Sequence, residues 1–243
     1  MIRTAIIVLV VVLFLVLSLP LLLVEVIIGK FNEPLMRRSC LRIVQFMFRV
    51  IQKLAGIKLT VIGQEKIPTD TPVLYVANHR GAFDIIVGYT YVVGLCGFIA
   101  KIELKKVPLL NLWMNQLYCL FLDRENIRAG LDTILKAIDQ VKNGVSMFIC
   151  PEGTRNSGDE MLPFKEGGMK IAEKTGCPIV PVAFYGTDHV FERQMPRICP
   201  AEVIMVFGDP IYTAQLDRAE KKHLGERCRT TIQGMLDEIR ANQ

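Results

Sequence analysis

The sequence predicts an α/β fold with a mostly parallel central sheet flanked by helices, preceded by an N-terminal membrane-associated helical segment. From residue 59 onward, short apolar runs rich in β-branched residues alternate with helical patterns, which is typical of such a sheet. Residues 1–58 are instead apolar and basic. The chain has 243 residues, 51% of them hydrophobic, which is enough for one large core. We therefore expect membrane-associated helices in 1–58 and an α/β domain in 59–243.

The first element is the uncharged segment 5–24, "AIIVLVVVLFLVLSLPLLLV". A membrane-spanning helix needs about 20 such residues, so the segment predicts a transmembrane helix. A secretory signal peptide is the alternative, but it requires a small-residue cleavage site that "VEVIIGK" matches poorly. Pro20 can kink a helix, so a tilted or re-entrant segment also remains open.

The second element is an amphipathic helix in "LMRRSCLRIVQFMFRVIQKLAG". Its polar residues recur at spacings of four and three and form one helical stripe: Arg38, Arg42, Gln45, Arg49 and Gln52. This pattern predicts a helix in the headgroup region with its arginines toward anionic lipid. A core helix with one wet edge is the alternative.

The basic excess of the chain is confined to this end. Residues 1–58 contain eight Lys or Arg and two acids, whereas the other 21 basic and 22 acidic residues nearly cancel. The positive-inside rule then predicts a location at the cell membrane, with the α/β domain on the cytoplasmic face. The segment is too apolar, and its polar stripe too poor in aromatic residues, for a nucleic-acid partner.

The remaining elements follow in order from residue 73. Five apolar runs predict buried strands: 73–77, 95–100, 146–150, 179–184 and 203–208. The helical patterns between and after them predict helices at about 83–93, 108–117, 126–142, 166–175 and 215–240. Sites in such sheets gather beyond the carboxyl ends of the strands, so the polar residues that follow these runs are the candidate functional residues.

The stretch "NHRGAFD" follows the first of these strands. His79 leaves the strand end, and Asp84 falls in the first turn of the next helix. A carboxylate on one imidazole nitrogen fixes the tautomer and leaves the other nitrogen free to take a proton, so the pair is a candidate general base with its orienting partner. The alternative is a structural histidine at the strand end and an ordinary acid at the helix N-terminus.

Three other strand ends carry candidate polar residues. In "CPEGTR", Gly153 permits unusual backbone dihedrals, Arg155 offers a planar fork for a phosphate, and Glu152 can orient a basic group or cap a turn. Arg124 in "FLDREN" and Lys101 in "AKIELKKVP" each follow an apolar run. The alternatives are a solvated arginine for Arg155, a surface ion pair for Arg124 and a solvated charge run for Lys101.

The seven cysteines are scattered, and none forms a CxxC pair. An odd number without ligand spacing argues against a disulfide framework and against a zinc site.

Taken together, four blocks resemble the glycerolipid acyltransferase family. "NHRGAFD" matches its NHxxxxD motif, and "FLDR", "PEGTR" and "IVPVAF" match its second, third and fourth blocks in order and spacing. The resemblance covers about residues 60–210 and is to the bacterial 1-acyl-sn-glycerol-3-phosphate acyltransferases. In one departure, Tyr118 stands where the second block of the family usually has a glycine.

The resemblance implies an activity and roles for residues. It implies transfer of a fatty acyl group from acyl-CoA or acyl carrier protein to the 2-hydroxyl of lysophosphatidic acid, forming phosphatidic acid in phospholipid synthesis at a membrane phospholipid surface. His79 is then the catalytic base and Asp84 its orienting partner. Arg155, Arg124 and Lys101 bind the acceptor phosphate, and Glu152 and Gly153 shape the loop. No metal and no cofactor are implied.

Two alternatives remain at this point. One is an acyltransferase of the same family acting on another lysolipid or on glycerol-3-phosphate. The other is a non-catalytic lipid-binding protein of the membrane surface that keeps the fold; such a protein is expected to lack the His-Asp pair, which is present here.

Overall fold

A computed structural model describes residues 1–158 and 160–242. Its centre is a seven-stranded sheet of order β1-β7-β6-β2-β5-β3-β4. Five strands run parallel, and the pair β1 and β7 is antiparallel to them through the β6–β7 contact. The strands are β1 Ile57–Ile62, β2 Leu74–Ala77, β3 Cys96–Lys101, β4 Leu120–Leu122, β5 Ser146–Ile149, β6 Ile179–Tyr185 and β7 Ala201–Phe207. The predicted α/β class with a mostly parallel sheet is confirmed.

In the described residues, eight α-helices surround the sheet. They are α1 Ile2–Leu17, α2 Leu19–Phe31, α3 Glu33–Ala55, α4 Phe83–Tyr91, α5 Leu110–Gln116, α6 Ile127–Lys142, α7 Lys170–Thr175 and α8 Leu224–Ala241. Alternate residues of β2 enter two different cores: Tyr75 and Ala77 face the core with α3 and α4, and Leu74 and Val76 face the core with α6 and α8. This alternation is the two-residue period of a strand that is buried on both faces.

The five predicted strands are present, but the sequence analysis missed two edge strands. β1 pairs with β7 over six residues, and its exposure alternates along the strand. β4 has only three residues, all partly exposed. β1 lacks the continuous apolar run by which the central strands were recognised, because only one of its faces is partly buried. β4 covers only three residues of the short apolar run before Arg124, which is less than the usual length of a strand.

The predicted helices are also present, with different starts at two places. The helix predicted at 166–175 begins with a 3-10 turn, Glu166–Met169, before α7. The helix predicted at 215–240 begins only at residue 224. Before it, Asp217 and Glu220 each accept the backbone N–H of the other at 2.8 and 3.0 Å, which stabilises a separate turn.

The prediction of a single transmembrane helix is not supported. The apolar segment is broken at Ser18 into α1 and α2, which are bent by 46°. Pro20 lies in the first turn of α2, where the missing N–H needs no partner. Among the described residues no single helix has both the length and the apolar character to cross a membrane, although the bent pair does by length and composition.

The predicted amphipathic helix is α3. Asn32 caps its start by accepting the N–H of Leu35, and Gly56 ends it with a φ of 74°. Two members of the predicted polar stripe are turned inward, because Gln45 donates to the carbonyl of Tyr89 and Gln52 to that of Ile86 in α4. The stripe as predicted is therefore wrong at these two residues. The exposed stripe is Arg38, Arg42, Phe46, Arg49 and Lys53.

The N-terminal helices pack on the α/β unit. The indole nitrogen of Trp113 in α5 donates to Oγ of Ser18 at 3.0 Å, and its ring stacks on Phe14 of α1. Near the other end of α1, Oγ1 of Thr4 accepts the N–H of Ile198 at 2.9 Å. The division at residues 58–59 falls within β1, and two separate domains stay a prediction.

Candidate active site

The site forms beyond the carboxyl ends of the parallel strands. β2 ends at Ala77, and Asn78 then joins it to β6: the amide nitrogen of Asn78 donates to the carbonyl of Phe184 at 2.9 Å, and its oxygen accepts the N–H of Phe184 at 2.7 Å. These two hydrogen bonds take the place of a backbone pair of the sheet and fix the direction in which the chain leaves β2. The next residue is His79.

His79 and Asp84 are in contact. Nδ1 of His79 lies 2.8 Å from Oδ2 of Asp84, whose side chain is completely buried. Because an ionised carboxylate only accepts hydrogen bonds, this contact places the ring hydrogen on Nδ1 and leaves Nε2 free to accept a proton. The His79 side chain is 16% exposed, and the residue lines a cavity.

Three carboxylates hold the loop that carries His79, and they accept four successive backbone N–H groups. Glu152 accepts the N–H of His79 at 2.7 Å. Asp84 accepts those of Arg80 and Gly81 at 2.7 and 2.8 Å, and Glu192 accepts that of Ala82 at 2.8 Å. Hydrogen bonds to a charged acceptor are about twice as strong as neutral ones, so the loop is firmly held.

Gly81 leaves room for the side chain of Glu192 against this loop. A Cβ atom at residue 81 would lie 2.3 Å from Oε2 of Glu192, which is inside contact distance. The same Oε2 is buried and has no hydrogen-bond partner among the described residues. Glu192 therefore packs directly against the His79 loop through a glycine that leaves room for it.

A buried ion pair lies behind the loop. The guanidinium of Arg80 donates to both carboxylate oxygens of Asp188, at 3.0 and 2.9 Å, and its third nitrogen donates to the carbonyl of Gly158 at 2.6 Å. Burial alone would raise the pKa of Asp188, but the hydrogen bonds from Arg80 and Arg193 lower it below its ordinary value. The pair joins the His79 loop to the segment after β6.

The loop after β5 carries the second group of predicted residues. Glu152 bonds the His79 N–H, and the N–H of Asn156 donates to the His79 carbonyl at 2.7 Å, so the loop lies against His79 on two sides. Gly153 has a φ of 75°, and its carbonyl accepts a hydrogen bond from Arg124. The predicted role of Gly153 in shaping the loop thus has a backbone basis.

The cations beside this loop are far more exposed than His79 and Asp84. Arg155 is 51% exposed and lies 3.3 Å from Oε1 of Glu192. Lys101 is 56% exposed and pairs with Glu103 at 2.6 Å. The side chain of Lys165 packs over Gly153, and its Nζ would lie 3.0 Å from a Cβ atom at residue 153.

A cavity of about 780 Å³ opens at this edge of the sheet. Its polar lining comprises His79, Lys101, Arg124, Thr154 and Arg155. The rest of the lining is largely apolar and comes from α1, α3, α4, β3 and α5. A long apolar cavity with a few convergent polar groups is the usual form of a site for an amphipathic ligand.

Burial changes the acidity of two of the carboxyl groups around the loop. It raises the pKa of Glu152, although the N–H groups of His79 and Leu162 oppose the rise. It also raises the pKa of Glu192, which the N–H of Ala82 and the charge of Arg155 oppose. The thiol of Cys150, which lines the cavity, has a pKa well above its ordinary value because it is buried. Cys150 is accordingly a neutral part of the cavity wall.

A metal has no evident place in the described part of the chain. Residues 1–158 and 160–242 contain no group of three or more His, Cys, Asp or Glu side chains that could hold a metal ion. The expectation that no metal or cofactor is needed stays a prediction.

Tyr118, the departure from the family pattern, has a φ of 58°. This is the left-handed region that favours glycine, so Tyr118 carries a side chain at a backbone conformation that glycine adopts without strain. The ring is covered by the guanidinium of Arg37 at 4.5 Å. Tyr118 leads directly into β4 and thereby toward Arg124.

The structure brings all seven predicted site residues together at one edge of the sheet, and their roles stay predictions. Sequence reasoning missed Arg80, Thr187, Asp188 and Glu192. Thr187 and Asp188 follow the apolar run of β6 and were recognisable as polar residues at a strand end. Glu192 lies in a short 3-10 turn with no sequence signal of its own.

Comparison with known proteins identifies the class. Residues 58–185 match the family model described as acyltransferase. This stretch is more than half of the chain, and the chain belongs to this acyltransferase family. The class of enzyme expected from the four sequence blocks is confirmed.

Particular relatives narrow the comparison. The chain is 34% identical over 209 residues to the 1-acyl-sn-glycerol-3-phosphate acyltransferase of Borreliella burgdorferi, covering 85% of this chain and 80% of that protein. It is 31% identical to the enzyme of the same name from Saccharomyces cerevisiae, covering 79% of this chain and 64% of the yeast protein. The crystal structure of the 1-acyl-sn-glycerophosphate (LPA) acyltransferase PlsC from Thermotoga maritima is similar with a TM-score of 0.86 at 26% identity, covering 99% of this chain and 95% of that one.

Proposed function

We propose that this acyltransferase moves a fatty acyl group from an acyl thioester, acyl-CoA or acyl carrier protein, to the 2-hydroxyl of lysophosphatidic acid and forms phosphatidic acid. The observation that carries the proposal is the 2.8 Å contact between His79 and buried Asp84 beside an apolar cavity that Arg155 also lines. The names of the relatives support this choice of acceptor.

In the proposed reaction His79 is the general base. Nε2 removes the proton of the acceptor hydroxyl as its oxygen attacks the thioester carbonyl carbon. The carbon–sulfur bond then breaks, and the leaving thiolate takes the proton from the imidazolium. Asp84 orients the ring and stabilises its positive charge between these two steps.

The cations position the acceptor. Arg155, Arg124 and Lys101 line the same cavity as His79, and guanidinium groups suit the oxygens of a phosphate. Holding the phosphate places the hydroxyl at the base and lowers the entropic cost of reaction. The apolar part of the cavity offers room for an acyl chain.

Replacing His79 with Ala tests the base. We expect kcat to fall by about 10²–10⁴-fold at saturating substrates, because general-base catalysis contributes this much. His223→Ala is the matched control, since His223 is absent from the cavity lining. Retention of most of the turnover by the His79 variant, with the control equally active, would contradict the assignment.

The acceptor is tested with a panel and one radiolabelled acyl-CoA. Membranes containing the protein should acylate lysophosphatidic acid in preference to glycerol-3-phosphate and to a lysophospholipid with a larger headgroup. A preference for either of the others would favour the alternative acceptors of the same family, and no transfer to any acceptor would favour the non-catalytic lipid-binding protein.

A membrane phospholipid surface is the proposed location, with the catalytic domain on its cytoplasmic face. Apolar side chains are widely exposed on α1 and α2, and the exposed stripe of α3 carries four cations around Phe46. This combination suits the interface of an anionic membrane. The double variant Arg42→Glu/Arg49→Glu should bind anionic vesicles less tightly in co-sedimentation, and equal binding would contradict the role of the stripe.

A further inference from the structure

Thr187 contacts the carboxylate that orients His79. Its hydroxyl donates to Oδ1 of Asp84 at 2.5 Å, and both residues are completely buried. Oδ2 of Asp84 accepts three hydrogen bonds, from the ring of His79 and the N–H groups of Arg80 and Gly81. In the described part of the chain Thr187 is the one donor to Oδ1, so this hydroxyl alone holds the second oxygen of the carboxylate.

The fold fixes the position of Thr187 closely. Gly186 precedes it with a φ of 80°, and a Cβ there would lie 2.3 Å from the carbonyl oxygen of Glu202 in β7. Asp188 follows it and is held by Arg80, the neighbour of His79 in sequence. Thr187 is thus held between a tight turn and a buried ion pair that leads back to the His79 loop.

We propose that Thr187 is a positioning residue for the proposed His-Asp base. Its hydroxyl draws negative charge toward Oδ1 and prevents rotation of the carboxylate, so that Oδ2 stays directed at Nδ1. The inference rests on the proposed function, because it assumes that His79 accepts a proton during the reaction. None of the four sequence blocks includes Thr187.

Thr187→Val removes the hydroxyl and keeps the shape of the side chain. With Oδ1 unpartnered, more negative charge resides on Oδ2, which favours the protonated imidazole. The base is then lost at a higher pH, and the acid limb of the kcat/KM profile shifts to higher pH. We also expect kcat to fall by about 10- to 100-fold, since a hydrogen bond to a buried charged group has this effect.

The charged and titratable groups that face His79 and Asp84 are the same in the wild type and in Thr187→Val. They therefore do not account for a shift of the pH profile. They are Arg80, Arg124, Cys150, Glu152, Arg155 and Glu192.

Two further variants separate positioning from structural support. Thr187→Ser restores the hydroxyl and should recover most of kcat and the wild-type pH profile. Thr213→Val is the matched control: Thr213 is also completely buried, and its hydroxyl donates to the carbonyl of Cys177 at 2.8 Å, away from the cavity. It should lower Tm as Thr187→Val does and leave the pH profile unshifted.

The outcomes distinguish this inference from the proposed function. An unshifted profile in Thr187→Val with kcat equal to that of Thr213→Val overturns the inference, and so does a Thr187→Ser enzyme as slow as Thr187→Val. If His79→Ala retains its activity, the proposed base itself is wrong. A dead His79→Ala enzyme beside an unaffected Thr187→Val enzyme overturns the role of Thr187 alone.

Discussion

The loop around His79 and the cations beside it are built in opposite ways. In the loop, four successive N–H groups are bound by carboxylates, and Asp84 is completely buried. Arg155 and Lys101 are each more than half exposed and have one ion pair apiece. The loop is preorganised, as a proton-transferring group requires, whereas the cations keep the freedom to adjust to a ligand.

The largest effect is expected where the loop is changed. Asp84→Asn should lower kcat by about 10²–10⁴-fold, because the neutral amide cannot stabilise the imidazolium that forms on His79. Steady-state kinetics measures the change, and Asp139→Asn on the exposed surface of α6 serves as control. Turnover close to that of the wild type would show that catalysis does not depend on the negative charge of Asp84.

A smaller effect is expected at the cations, and in a different parameter. Arg155→Ala should raise KM for the phosphorylated acceptor by about 10- to 100-fold, because a charge-assisted hydrogen bond to the phosphate is lost. The dephosphorylated acceptor should be much less affected. Arg227→Ala is a suitable control, since Arg227 is 48% exposed and likewise has one ion pair. A variant that distinguishes the two acceptors as well as wild type does would contradict the phosphate role.

Glu192 joins the two regions, and its titration gives a pH-dependent effect. Burial raises the pKa of Glu192 in the folded protein, so the folded state binds the proton more tightly than the unfolded state does. Its contribution to stability is therefore present at low pH and lost as pH rises through the folded pKa.

Glu192→Gln removes this dependence and keeps an oxygen for the N–H of Ala82. We expect Tm of the wild type to fall relative to that of Glu192→Gln as pH rises above the ordinary carboxyl range. Thermal unfolding between acidic and neutral pH measures the difference. A constant difference across that range would mean that the carboxylate is not destabilised by its burial.

The smallest effect concerns the backbone that leads to Arg124. A side chain at the left-handed φ of Tyr118 costs about 1 kcal/mol relative to glycine. Tyr118→Gly should therefore be more stable than Tyr118→Ala by about 1 kcal/mol in chemical denaturation, since both variants lose the contact with Arg37. Equal stability would indicate that the backbone relaxes on substitution.

The residues proposed to act on the substrates were more predictable from sequence than the residues that support them. His79, Lys101, Arg124 and Arg155 end or follow apolar strand runs, and parallel strands bring such ends to one edge. Glu192 and Thr187 reach the site through tertiary packing, which no local pattern records. The edge strand β1 was missed because its alternating residues form no apolar run, and β4 was missed because it covers only three residues of the run before Arg124.

For the N-terminal region the sequence indicated apolar and amphipathic helices but not where the helices break or which side chains face the surface. The uncharged segment 5–24 indicated one helix, but Ser18 and Pro20 divide it into two. The stripe of α3 was assigned from spacing alone, and spacing does not show which polar residues find partners. Gln45 and Gln52 donate to carbonyls of α4, and of the predicted polar stripe only the three arginines remain exposed.

The contact between Gly81 and Glu192 has an evolutionary consequence. A side chain at residue 81 would force the carboxylate of Glu192 to shift from its present position, so a larger residue at 81 is disfavoured while Glu192 is kept. Homologous sequences with a larger residue at the first position should carry a shorter one at the second. Co-variation between two sites more than a hundred residues apart would thus record a contact that joins the NHRGAFD block to a residue outside all four blocks.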